Sequence, residues 1–423
     1  MLLPIPKPFF IFIVQIYKIN LDLSSFMRNF AIMKKKICFL VDSIFSIGGV
    51  QRVTAVIAKE LAKTYDVTIV TLDKQKQEDK SLYGLNESEI EYRFFSYPNV
   101  GKWKKLCCKA VSGIYLKSKI KSKWASNIYA HSSFPAEQRE ALAKELKQGY
   151  YDIIIGVHAP LAARLANLRS DFPNTKLIGW LHNSYDALFG EKSMYIGPER
   201  KRHYIYQFRK MDEVIVLCKN DASLFNQYDQ QFKPIVIYNP LTLKPGLPSN
   251  GNSKRFLAVG RFTPLHKGID LLIEAFQIFA QKNQEWNLDI VGEGPEEETY
   301  RSLIAKYGLE NRIIIHPFTN YIQAYYSKAQ IYVLSSRWEG MPLVLVEAMS
   351  HGLPIVTSDL PICNEILGDL GLYYNNGDIH ELAQRLEEAT RIDWQEKSRN
   401  AINIAQRYDV NEIIKLWKGL IEE

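Results

Sequence analysis

The run SSRWEGMPLVLVEAMSHG, residues 335–352, sets Glu339 and Glu347 eight positions apart in apolar surroundings. Glu339 opens a turn built on Gly340, Met341 and Pro342, and Glu347 lies inside the apolar stretch that follows. Pro342 suits the first position of a helix, where no amide hydrogen is needed. Such a helix would present the backbone N–H groups of Leu343, Val344 and Leu345 at its N-terminus, where anions and above all phosphates bind. Gly340 would let the backbone come close to a ligand. Glu347, about one turn inside, could accept hydrogen bonds from vicinal hydroxyls such as those of a ribose, and Glu339 from hydroxyls of a second sugar beyond the phosphates. The same spacing would also arise from an acid that favours the helix dipole followed by a glutamate facing water.

The whole string E-G-M-P-L-V-L-V-E-A-M resembles the E-x7-E signature of glycosyltransferase family 4, retaining enzymes with the two-domain GT-B fold. The resemblance implies that Glu339 holds the donor sugar and Glu347 the ribose. Gly260-Arg261-Phe262-Thr263-Pro264-Leu265-His266-Lys267-Gly268 is similar to the family's G-R…K-G element, whose cations clamp a diphosphate. A nucleoside diphosphate gains negative charge as it leaves, so two fixed cations lower the barrier without a metal. Gly292-Glu293-Gly294-Pro295 looks like the family's G-x-G-P turn, expected to shape the pocket wall. His316 and Phe318 fall where members hold the nucleobase, largely through backbone. Ser46-Ile47-Gly48-Gly49-Val50-Gln51-Arg52 resembles the Gly-Gly loop, in which Gly48 and Gly49 admit backbone amides to the donor phosphate. His182 matches a position near the transferred sugar and is expected to touch a sugar hydroxyl rather than act as a general base. The implied catalytic group is Glu339, His182, Arg261 and Lys267.

These motifs need elements to hold them. Lys36–Val41, Val67–Thr71, Ile153–Val157, Lys176–Leu181 and Glu213–Leu217 read as strands buried on both faces of a parallel sheet, with a helix over Val50–Thr64 after the first. Past Asn239 the chain turns rich in Pro, Gly, Ser and Asn, which reads as a linker over 241–254. The rhythm restarts with strands at Arg255–Val259, Leu288–Val291, Arg312–His316, Ile331–Leu334 and Pro354–Thr357. Helices are expected over Gly268–Gln281, from about Pro295, over Tyr321–Ala329 and over Leu343–Ser350. The fold class is therefore α/β: two Rossmann-like, doubly wound parallel-sheet domains, 33–240 and 255–400, facing a cleft as in GT-B. The tail Asn400–Glu423 reads as one amphipathic helix with Trp417 and Leu420 on one side, packing back on the first domain.

Composition bounds the rest. The chain has 423 residues, 47% hydrophobic and 23% charged, an ordinary globular balance for two or three domains. Its five scattered cysteines show no metal-ligand spacing and no disulfide framework, which suits a reducing, cytoplasmic setting. The apolar stretch PFFIFIVQIY is too short to cross a bilayer comfortably. Residues 1–32 are set aside as an extension ahead of Met33, which begins MKKKICFLVDS like the opening of a domain. Residues 101–136 carry eight lysines and no acid, interleaved with aromatics. That suits an anionic membrane surface, on which the protein would sit peripherally, or nucleic acid, or a solvated helix face.

The resemblance implies transfer of a hexosyl or N-acetylhexosaminyl group from a nucleoside-diphosphate sugar, with UDP as carrier, to a glycan or lipid-linked glycan in surface-polysaccharide assembly. The sugar nucleotide would be a co-substrate; no cofactor, metal or nucleic acid is expected, and the chain contains no D-x-D. A sugar-nucleotide epimerase or a phosphorylase would share the fold but needs acid–base residues or a cofactor lysine that the sequence does not place. A non-enzymatic membrane or nucleic-acid binder would rest on the lysine-rich segment alone.

Overall fold

The computed structural model describes residues 34–423, apart from Lys119, Lys121, Lys192, Met194 and Asn250; the extension 1–32 lies outside the described residues. Two parallel sheets organise the chain. The first contains β1 (Lys36–Val41), β2 (Asp66–Thr71), β3 (Glu91–Phe94), β4 (Ile153–Val157), β5 (Lys176–Trp180), β6 (Glu213–Val216) and β7 (Ile235–Val236), in the order β3-β2-β1-β4-β5-β6-β7. The second contains β8 (Arg255–Val259), β9 (Asn287–Val291), β10 (Ile313–His316), β11 (Ile331–Leu334), β12 (Ile355–Ser358) and β13 (Gly371–Tyr374), in the order β10-β9-β8-β11-β12-β13.

Side chains of β1 explain why its sequence is a continuous apolar run. Ile37, Phe39 and Val41 join one buried cluster, while Cys38 and Leu40 join another on the opposite face. A strand covered on both sides has no polar face to display. The first of those clusters reaches across both domains and includes Leu345 and Met349 of the second.

Strand order reverses at β1/β4 in the first sheet and at β8/β11 in the second. Such switch points leave a crevice outside the carboxyl ends of the strands. The sequence motifs all follow carboxyl ends: Gly48–Gly49 after β1, His182 after β5, Arg261–Lys267 after β8, Phe318 after β10 and Glu339–Pro342 after β11.

Some elements differ from expectation. Strands β3 and β13 were not expected; both are short and only partly buried along most of their length, so neither carries a strong apolar run. The helices Lys102–Lys117, Lys123–Ser133 and Ala136–Lys147 were not delimited from sequence either. The tail is two helices, Trp394–Ala405 and Val410–Glu422, instead of one from Asn400. Asp409 breaks it, because its carboxylate accepts the Asn411 amide at 2.8 Å and caps a new N-terminus. The last helix packs on the first domain, with Trp417 fully buried 4.8 Å from the Trp180 ring and 6.5 Å from Phe39. Lys35 and Lys176 donate to the Ile421 and Leu420 carbonyls at 2.8 and 2.7 Å, which satisfies the helix C-terminus with cations. Among the described residues no helix is long and apolar enough to cross a membrane.

Trp417→Ala removes the side chain that seats the tail, and the expected loss is about 3–5 kcal/mol of unfolding free energy. Urea titration followed by circular dichroism measures it; a loss under about 1 kcal/mol would mean the tail is dispensable for folding.

Candidate active site

Four loops converge between the sheets. After β1, the Tyr83 hydroxyl accepts from the Gly48 amide at 2.9 Å and donates to the Ser46 carbonyl at 3.0 Å, holding the glycine turn from below. The helix Gly49–Ala62 starts there without a side-chain cap. Arg261 reaches over from the second domain and donates to the Ile47 carbonyl at 2.6 Å. A side chain built on Gly49 would lie 3.6 Å from Leu343. The Gly-Gly turn, Arg261 and the start of the Leu343–Ser350 helix are therefore neighbours.

Glu339, which opens the turn after β11, is buried at 8% exposure. Lys267 donates to its Oε1 at 2.6 Å and Ser336 to the same oxygen at 2.6 Å; His266 Nε2 stands 3.9 Å from Oε2. Burial pushes the carboxyl's pKa up, but the Lys267 ammonium, His266 and the Ser336 hydroxyl together hold it below the usual carboxylate range. Lys267 is fixed by Gly268, whose left-handed backbone (φ +60°) opens the helix Ile269–Ala280 against the Ser335 carbonyl, where a Cβ would collide. His266 stacks on Trp338 at 5.0 Å and 10°, closing that side.

Glu347, at 2% exposure, is enclosed by partners that sequence reasoning left without a role. Arg52, from the first domain, pairs with Oε1, and Tyr326 donates to Oε2 at 2.9 Å. Arg52 stood in the quoted Gly-Gly motif; its place in the first turn of that helix, on the side of the cleft, was the available signal. Tyr326 had none, since it lies on a different element from Glu347.

Two local expectations change. Pro342 is the N-cap in extended conformation (φ −74°, ψ 103°), not the first helical residue, and Leu343 begins the helix. The Leu345 amide turns back to the Pro342 carbonyl at 3.0 Å, which takes it out of the set of amides expected to face an anion. Gly340 makes its close approach to protein: a Cβ there would collide with the His182 carbonyl. Met341, beside it, is buried, and its sulfur accepts from the Asn239 amide at 3.0 Å. Val344 is partly buried against the cluster that spans the domains.

His182 is 6% exposed, packed 4.3 Å from Trp180 and 5.4 Å from His158, and its buried Nε2 has no hydrogen-bond partner among the described residues. Burial first, then the nearby His158, holds its pKa well below the usual value, so the ring is neutral at pH 7.

The remaining residues stand apart. His316 gives its imidazole to Asp289 at 2.8 Å, and its carbonyl accepts the Gly292 amide at 3.0 Å. Phe318 is 43% exposed on the loop after the edge strand β10. Gly292 and Gly294 press on the backbone of Gly260 and Phe262, so this turn braces the Arg261 loop.

A family model described as "Glycosyltransferase Family 4" matches residues 47–244, and one described as "Glycosyl transferases group 1" matches residues 242–408. The chain is a family 4 glycosyltransferase. An uncharacterized glycosyltransferase of Haemophilus influenzae is 29% identical over 404 residues, 92% of this chain and 100% of that protein. A lipopolysaccharide 1,6-galactosyltransferase of Salmonella typhimurium is 30% identical over 131 residues, 29% of this chain and 36% of that one. The crystal structure of Anabaena HepE in complex with UDP and glucose superposes with a TM-score of 0.70 at 21% identity, covering 92% of this chain and 99% of that one. The two-sheet architecture of this glycosyltransferase is GT-B.

Lys267→Met leaves the Glu339 carboxylate buried beside a truncated partner. The expected loss is about 3–5 kcal/mol of stability, with much of it regained in Lys267→Met/Glu339→Gln. Urea titration of the two variants checks this; equal stabilities would show that the pair carries no coupling. His182 titrates below its unfolded value, so the folded state binds fewer protons and stability falls as pH drops below about 6.5. In His182→Asn the pH dependence of unfolding between pH 7 and 5 should be shallower, by up to about 1.4 kcal/mol per pH unit, and an unchanged slope would place the ring in water.

Proposed function

We propose that this glycosyltransferase moves a hexosyl or N-acetylhexosaminyl group from a UDP-sugar to a glycan or lipid-linked glycan in surface-polysaccharide assembly, with retention at the anomeric carbon and without a metal. One observation carries the reading: Arg261, the buried Lys267–Glu339 pair, the start of the Leu343–Ser350 helix and the Gly48–Gly49 turn meet in one crevice.

In this reading the diphosphate lies against the Leu343 and Val344 amides, with Arg261 and Lys267 as its cations. Both already donate to oxygens, of Ile47 and Glu339, so binding exchanges one acceptor for another with little reorganisation. Glu347 takes the ribose hydroxyls and Glu339 a hydroxyl of the donor sugar. His316 and Phe318 border the base. Neutral His182, with Nε2 uncommitted, takes a hydroxyl of the transferred sugar; an imidazole held neutral by burial is a poor proton acceptor. As the bond from the anomeric carbon to the diphosphate breaks, the acceptor oxygen bonds to the same face of that carbon. Its proton passes to an oxygen of the departing diphosphate. The cations offset the charge that this step places on the leaving group.

Support for the donor comes from the HepE complex, which holds UDP and glucose, and for the acceptor class from the Salmonella relative, which acts on lipopolysaccharide. The five free cysteines suit the cytoplasmic side of a membrane, the reducing side.

A thermal-shift panel of UDP, GDP and their sugars tests this. UDP compounds at about a hundred times Kd should add about 2.7 kcal/mol, and Glu347→Gln should lose most of that gain. No shift with any nucleotide would overturn the donor assignment.

A further inference from the structure

We propose that the two-helix hairpin spanning residues 102–133 seats the enzyme on an anionic lipid bilayer through its outer face. The proposal deepens the acceptor reading above, on which it rests only for what the surface is for.

The hairpin projects between β3 and β4 and has two differently furnished sides. Its inner side is committed to the protein. Tyr115 stacks on Tyr129 at 4.6 Å, and Tyr129 stands 4.7 Å from the His203 ring. Arg200 donates to the Tyr129 hydroxyl at 3.0 Å, and Ser126 Oγ meets His203 Nδ1 at 3.0 Å. Folding is therefore served by one face of each helix.

The opposite face is apolar and open. Trp103, Leu106 and Ile114, spaced i, i+3 and i+11, form one stripe along the Lys102–Lys117 helix, with exposures of 82%, 58% and 70%. Ile120 in the connection and Trp124 at the head of the second helix are exposed by 66% and 73%. From Trp103 to Ile114 the stripe runs about 17 Å along this helix. Singly exposed apolar residues are ordinary, but a run of this length beside a satisfied inner face marks a contact surface.

Charge decides among occupants. Lys102 and Lys109 border one side of the stripe when the helix is viewed end-on, Lys104 on the other side pairs with Glu137 at 2.5 Å, and residues 101–136 contain no acid. A helix with an apolar stripe, a lysine border and tryptophans at its edge fits the boundary between anionic headgroups and acyl chains. Nucleic acid would engage the lysines but leave Leu106 and Ile114 in water. A second copy would set lysines against lysines.

The test uses the whole chain in flotation with phosphatidylcholine vesicles and with vesicles about one-third phosphatidylglycerol. Wild type should bind the anionic vesicles at least about ten-fold better, and raised salt should weaken it. Lys102→Gln/Lys105→Gln/Lys109→Gln should lose about a hundred-fold. Trp103→Ser/Leu106→Ser/Ile114→Ser should lose about ten-fold or more. Both variants should keep the thermal shift with UDP, and turnover on a water-soluble acceptor, at wild-type values. Absence of anionic selectivity, or wild-type binding by both variants, overturns the proposal. So does tighter binding to single-stranded RNA than to vesicles, or a dimer in sedimentation velocity that the apolar variant alone abolishes. Vesicle binding without any UDP shift would sink the donor assignment and leave this surface standing.

Discussion

A buried ion pair sets the terms for the rest of this molecule. Lys267 and Glu339 come from the ends of neighbouring strands, β8 and β11, and meet at 2.6 Å where little water reaches either. Burying two charges costs free energy that their attraction repays only when geometry is good and further hydrogen bonds complete the shell. Ser336 completes it for the carboxylate. Gly268, pressed on the Ser335 carbonyl, and His266, stacked on Trp338, hold the loop that carries the ammonium. Much of the local sequence thus exists to keep one cation and one anion in a fixed place.

The same economy of charge crosses the cleft. Arg52 of the first domain neutralises Glu347 of the second, and Arg261 of the second holds the loop before Gly48 in the first. Glu365 accepts the Lys219 amide and the Tyr238 hydroxyl, tying the two halves together again. Gly340 permits backbone contact with His182 that any larger residue would block. Two domains that share so many polar contacts at the crevice bring Gly48 and His182 of the first beside Arg261 and Gly340 of the second. The tail helix adds a further tie, since Trp417 fills the first domain after the chain has left the second.

Much of this was legible beforehand, for a physical reason. Strands buried on both faces must be apolar throughout, so Ile153–Val157, Arg255–Val259 and Ile331–Leu334 fall where the sequence reading put them. Edge strands such as β3 and β13 carry no such run. The helix Leu343–Ser350 was legible to the residue, but its first turn was not: whether Pro342 caps the helix or begins it depends on one ψ angle. The tail's break at Asp409 turned on a side chain capping two residues ahead, which an apolar period over the tail conceals.

By itself the sequence determined the α/β class, the two parallel sheets, the family and the acids and cations of the crevice, because strand burial and loop chemistry are local properties written in consecutive residues. Only the tertiary structure decided which of those charges meet. Glu347 pairs with Arg52 and Tyr326, Glu339 is buried against Lys267 and Ser336, and Gly340 approaches a histidine carbonyl. Those outcomes depend on partners far along the chain, brought together by strand order and by the closeness of two domains, and no spacing within a motif encodes them.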